Sequence, residues 1–119
     1  MPARVYKTRQ FARDASKRRI GDAELCQAIS EVEAGRAENL GGGVYKKRLN
    51  DNMDRALIVA KVDRFWIFVH LFQKSDRANI SPDLLSQLKR LSKSYAALDE
   101  NEIAALTSAG TLLEICNGD

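Results

Sequence analysis

The sequence predicts an α+β domain: a mostly antiparallel sheet with an N-terminal helix pair on one side and C-terminal helices packed elsewhere against the core. Three observations predict it. Two apolar runs, Ala56–Val62 and Phe65–Phe72, have strand length and are separated only by Asp63 and Arg64, which makes them a hairpin. Leu25, Ala28, Ile29 and Val32 recur at helical spacing before those runs, and Leu84, Leu88, Leu91 and Tyr95 do so after them. A chain of 119 residues, 45% apolar and 29% charged, has the size and balance of a single globular domain with one core, taken as residues 1–119.

The elements follow in order. Arg4–Lys7 alternates as a short strand, and a helical pattern with Phe11, Ala12 and Ala15 runs from Thr8 to about Arg19. Gly21, followed by Asp22 as N-cap, starts a second helix that Gly35 ends. A polar stretch leads to Gly41-Gly42-Gly43 and then to the basic strand Val44-Tyr45-Lys46-Lys47-Arg48. The lysine and Ser/Thr of a phosphate-binding loop are missing at the required spacing, so the glycines read as a flexible lead into that strand. Neither apolar run alternates cleanly, which predicts that both faces of the middle of the sheet are covered. Ser81-Pro82-Asp83 supplies a hydroxyl cap, a proline in the first helical position and an acid in the first turn, predicting a helix to about Leu98. Asp99 with Glu102 three residues on predicts a capped short helix to about Ser108, and Thr111–Ile115 a final strand.

Composition bounds the function. No apolar run approaches the ~20 residues that span a bilayer, and Met1–Lys7 lacks the apolar core of a signal peptide, so a cytoplasmic location is expected with no membrane partner. Cys26 and Cys116 stand in no metal-ligand spacing and read as buried reduced thiols rather than a disulfide. The net charge of +3 is unevenly spread. Residues 1–20 carry Arg4, Lys7, Arg9, Arg13, Lys17, Arg18 and Arg19 against Asp14 alone, while residues 22–38 carry Asp22, Glu24, Glu31, Glu33 and Glu38 against Arg36. The basic half can meet nucleic acid and the acidic half cannot.

Candidate functional residues lie at strand ends. Lys46, Lys47, Arg48, Arg55, Lys74 and Arg77 surround the apolar hairpin, and fixed cations on a sheet suit a polyanion, RNA in particular, with no metal or other cofactor needed. Strand parity places Lys46 and Arg48 on one face with Lys47 opposite, and Trp66, Phe68, His70, Phe72 and Lys74 together on one face of the second hairpin strand. His70 has two readings: a proton-transfer group titrating near neutral pH, or a half-buried strand histidine hydrogen-bonded to a neighbour. Trp66 and Phe68 similarly read either as base-stacking platforms or as core under the helices.

Strand, helix pair, basic strand and apolar hairpin in this order, closed by Lys74-Ser75-Asp76-Arg77-Ala78-Asn79-Ile80, resemble the bacterial toxin superfamily named after RelE and ParE. More narrowly, Gly41 to Arg48, Phe72 to Ile80 and the tail Leu112-Leu113-Glu114-Ile115 resemble its HigB-like branch. The resemblance implies a type II toxin, held in a hetero-oligomer by a cognate antitoxin, that binds the ribosome and cuts mRNA by attack of a ribose 2′-hydroxyl on the adjacent phosphate. By this resemblance Lys46, Arg48, Arg55 and Lys74 are the catalytic candidates; His70 joins them from its predicted face and its imidazole, and Lys47 and Arg77 are further RNA contacts from their charge. Arg55 would hold the scissile phosphate and the charge that develops on it, and a cation-depressed lysine would move a proton. A noncatalytic toxin acting on a protein such as DNA gyrase, and a plain binder of an acidic partner, are the other functions this surface allows. The chain departs from the branch in two places. Leu49 to Asp54 replaces a basic, glycine-rich loop, setting Asp51 and Asp54 where cations would grip RNA, and Ile80 stands in the place of a catalytic tyrosine.

Overall fold

The computed structural model describes residues 3–75 and 80–116. Its elements are β1 (Arg4–Thr8), α1 (Arg9–Lys17), α2 (Asp22–Glu33), β2 (Glu38–Gly41), β3 (Val44–Leu49), β4 (Asp54–Lys61), β5 (Phe65–Gln73), α3 (Pro82–Ala96), α4 (Glu100–Ser108) and β6 (Leu112–Ile115). The strands form one six-stranded sheet in the order β2-β3-β4-β5-β1-β6, in which only β1 and β5 run parallel. The predicted mixed architecture is the observed one, with a mostly antiparallel sheet flanked by N- and C-terminal helices.

Both faces of the sheet are dry in the middle, which is why its central strands do not alternate. Trp66 and Phe68 of β5 and Ala56, Ile58 and Ala60 of β4 meet Phe11 and Ala15 of α1 and the Leu25, Ala28, Ile29, Val32 stripe of α2. On the other side Phe65, Ile67, Leu57 and Val59 meet Leu88 of α3 and Ile103 of α4, with Leu84, Leu91 and Tyr95 packed around them. Trp66 and Phe68 are therefore core side chains, 5% and 0% exposed, and no platforms for bases.

Helix ends follow local chemistry. Thr8 Oγ1 accepts from the Phe11 amide and Ser81 Oγ from the Leu84 amide, while Asp99 and Glu102 form a reciprocal capping box. Gly21, not Asp22, occupies the N-cap of α2 and leaves Asp22 and Glu24 in its first turn. At the other end of α2, Gly35 takes φ +87° and its amide reaches Val32 O, while Arg36 N–H reaches Glu31 O at 2.8 Å, the paired hydrogen bonds that stop a helix abruptly.

Beyond the N-cap of α2, the structure corrects four sequence expectations. The polar stretch before the glycines contains a strand, β2, and Gly42 and Gly43, at φ +60° and +80°, form the two-residue turn of a β2–β3 hairpin rather than a flexible lead. A β-bulge in β5 breaks strand parity: Ile58 faces Phe68 but Leu57 faces His70, so Val69 is an extra residue. His70 and Phe72 consequently leave the face of Trp66 and Phe68, and Leu71 takes their place there. Third, Cys26 and Cys116 are joined in a disulfide, because β6 docks beside β1 and delivers Cys116 to α2 from 90 residues away.

The fourth concerns the basic N-terminal block, which is in part engaged within the protein. Lys7 Nζ meets Asp22 at 2.7 Å, Arg18 meets Asp54 at 3.0 Å and Arg4 meets Glu114 at 3.7 Å. Arg9 donates to the carbonyls of Ala109 and Gly110 at the end of α4, where a cation complements the helix dipole. Acids of the following block pair in the same way, Glu31 with Lys47 and Glu38 with Lys46. Charge segregated along the chain is thus partly neutralised across the fold.

Candidate functional site

One group of cations lies where β3, β4 and β5 run side by side. Register sets Arg48 opposite Arg55 and Arg55 opposite Phe72; one row along, Lys46 lies opposite Leu57 and Leu57 opposite His70. Residues in register share a face, so Lys46, Arg48, Arg55, His70 and Phe72 all project from the side on which α3 packs. The bulge at Val69 brings His70 there, where its ring stacks on Phe72 at 6.0 Å. Helix α3 seats at the far end of β3, with Lys89 and Ser92 against Gly42 and Gly43. At the near end Arg48 is exposed and Lys46, Arg55 and His70 are half-buried.

Two arginines directly opposite each other on a sheet repel, a destabilising arrangement unless an anion sits between them. Among the described residues neither Arg48 nor Arg55 is paired with a carboxylate. Arg55 is instead steadied through Nη1, which donates to Asn52 O at 3.0 Å and Asp54 O at 3.1 Å. That leaves the rest of its planar fork for a ligand. Lys46 Nζ is held 3.0 Å from Glu38 on β2.

Lys47 lies opposite Ala56 on the other face and binds Glu31 of α2 at 2.8 Å, with its side chain only 11% exposed. Its hydrogen bond holds the Glu31 carboxyl below the usual carboxylate range, and Gln27 adds to the effect. Lys47 therefore ties β3 to α2, and an RNA contact by it has to compete with that pair. Lys74 follows β5 in an exposed turn, where its amide donates to Met53 O at 2.8 Å, which anchors it to the β3–β4 turn that also steadies Arg55. Arg77 lies outside the described residues. Ile80 packs on the α3-side core and presents no phenol in the expected place.

The β3–β4 turn differs from its sequence reading. Asn50, Asp51 and Asn52 all take positive φ, +54°, +52° and +71°, a conformation these short polar side chains tolerate. Asp54 does not oppose RNA: it faces Gln73 on the α1 side, is fully buried, and is held by Arg18 and by Asn50 Nδ2 at 2.8 Å. Asp51 alone remains exposed there.

Strand β2 pairs with β3 only as far as Glu38↔Lys46, and past this point the edge of β3 is open. A cleft of about 520 Å³ occupies the gap, lined by Gly35, Arg36, Ala37, Glu38, Lys46, Lys47, Arg48 and Arg55. Sequence reasoning missed Arg36 and Glu38, because both sit in the acidic block and no local pattern announces that α2 ends beside β3. A second cleft, about 480 Å³ between α1 and the end of β5, includes His70 and Phe72 in its wall, but its Arg18 and Asp54 are already paired.

No curated protein and no solved structure matches this chain. A family match does extend from residue 3 to residue 115, to the family described as the RelE toxin of the RelE / RelB toxin-antitoxin system. The match takes in every helix and strand of the fold and the whole basic face, and the chain belongs to this RelE toxin family.

Proposed function

We propose that this protein is the toxin of a type II toxin–antitoxin pair, of the HigB-like branch, and that it arrests translation in the cytoplasm by cutting ribosome-bound mRNA without a metal. The observation that carries the reading is the Arg48–Arg55 cross-strand pair, with Lys46 and His70 one row away on the same face. The two guanidinium groups hold the scissile phosphate and the charge that grows on its oxygens. The ribose 2′-oxygen attacks phosphorus, the bond to the 5′-oxygen breaks, and a 2′,3′-cyclic phosphate and a 5′-hydroxyl result. One proton leaves the 2′-hydroxyl and one reaches the departing oxygen; Lys46, His70 and Lys74 are the groups of the right type to carry them. A cognate antitoxin, rich in acidic and apolar residues, silences the toxin by covering this face or the helices beside it.

The test compares Arg55→Ala with Lys47→Ala. Induced expression of the native chain should stop growth and, in a translation extract, leave mRNA cut at discrete positions read by primer extension. Arg55→Ala should lower cleavage by about a hundredfold or more, the scale of losing a transition-state charge contact. Lys47→Ala, on the opposite face, should lower it far less. Equal loss in both variants, or full toxicity of Arg55→Ala, would remove the phosphate-holding role, and growth arrest with intact mRNA and blocked gyrase supercoiling would assign a protein target instead.

A further inference from the structure

The cleft beyond β2 holds more cationic groups than one phosphate needs, and its layout gives the excess a use. Arg36 lines the cleft from the end of α2, and its backbone is fixed by the hydrogen bonds that stop α2 at Gly35. Lys46, Arg48 and Arg55 line it from β3 and β4, and Glu38, among the described residues the only carboxylate in its lining, is 59% exposed and lies 3.0 Å from Lys46 Nζ. An exposed pair of this kind is weak, worth at most about 1 kcal/mol. A phosphate entering the cleft can therefore displace Glu38 from Lys46 at little cost.

We infer that the cleft is a two-phosphate track for single-stranded RNA: Arg36 and Lys46 take the phosphate next to the one held by Arg48 and Arg55, and Glu38 is a latch that occupies Lys46 until RNA arrives. This rests on the reading of Arg48 and Arg55 given above. It adds a subsite and a built-in competitor, so the minimal ligand is a strand with two successive phosphates, and a dinucleotide with one phosphate is held by Arg48 and Arg55 alone.

Binding is measured on the full chain by fluorescence anisotropy, with two labelled probes: a ten-nucleotide RNA fully 2′-O-methylated, which cannot be cleaved, and a dinucleotide with a single phosphate. Arg36→Ala should weaken the ten-nucleotide probe about tenfold at low salt. It should also flatten the slope of log affinity against log salt by about 0.7, the value for one phosphate on a single strand. Affinity for the dinucleotide should not change. Glu38→Gln should tighten the longer probe roughly two- to fivefold, the range open to a surface pair. Arg36 is exposed, and a native circular dichroism spectrum accompanies each variant. Unchanged affinity and slope in Arg36→Ala, or no tightening in Glu38→Gln, while Arg55→Ala still weakens both probes, would overturn the track and leave the parent reading intact. Unchanged binding in Arg55→Ala would overturn both.

Discussion

Asp54 carries a structural role that its place in the sequence disguises. It closes the turn after the basic strand, where an acid looks hostile to RNA, yet it is fully buried on the α1 side and accepts from both Arg18 and Asn50. Removing it strands a partly buried guanidinium and an amide at once. Asp54→Ala is expected to cost on the order of 3 kcal/mol and to lower the midpoint of urea unfolding accordingly. Asp51→Asn, at an exposed position of the same turn and with a side chain that tolerates its positive φ, should change stability by less than about 0.5 kcal/mol and leave that midpoint nearly unmoved. Comparable losses in the two would show that the Arg18–Asp54 contact does not hold α1 to the turn.

At the scale of elements, the β2–β3 hairpin and α3 are fitted to each other. Gly43 has φ +80°, and a Cβ there would meet Ser92 Oγ and lie 2.8 Å from Ala60 O. Ser92 is itself buried and donates to Ala60 O at 3.4 Å. Gly43→Ala combines left-handed backbone strain with a clash against carbonyl oxygen. It should destabilise the fold by about 2–3 kcal/mol and raise hydrogen exchange along α3 before it does so along α1. Gly21→Ala serves as the control, since φ there is negative and a Cβ meets nothing within 4 Å. The bulge at Val69 is the second decision at this scale, because a single extra residue in β5 moves His70 and Phe72 from the helix-pair face to the face of the arginines.

For the whole molecule, the bond between Cys26 and Cys116 closes a loop spanning 90 residues and fastens the final strand to α2. On the chain-entropy account, cross-links over loops of this length contribute about 4 kcal/mol, by restricting the unfolded chain. Thermal unfolding should accordingly shift to lower temperature in dithiothreitol, and Cys26→Ser should melt at the reduced temperature whether or not reductant is present. A melting temperature indifferent to reductant, with both thiols titrating free, would count against the bridge as a source of stability. Since α2 also holds Lys47 through Glu31 and the Asn50 amide through Glu24, the same bridge braces the back of the basic strand.

The sequence by itself determined what local chemistry can determine. Helical stripes such as Leu84, Leu88, Leu91 and Tyr95, the caps at Ser81 and Asp99, and the two hydrophobic runs of the β4–β5 hairpin were all legible, because each depends on residues a few positions apart. Strand alternation likewise placed Lys46 with Arg48 and Lys47 opposite, a relation that needs only the period of one strand. Everything that depends on which element lies beside which was decided by the tertiary structure. β2 is too polar to look like a strand and exists because β3 offers it an edge; Cys116 finds Cys26 only when β6 docks on β1. Part of the basic N-terminal block is answered by acids and carbonyls far away in sequence, and Arg36 reaches the cleft only because α2 stops where it does. Residue patterns encode faces and ends, whereas a site for a polyanion depends on which charges are left unneutralised once those faces have met.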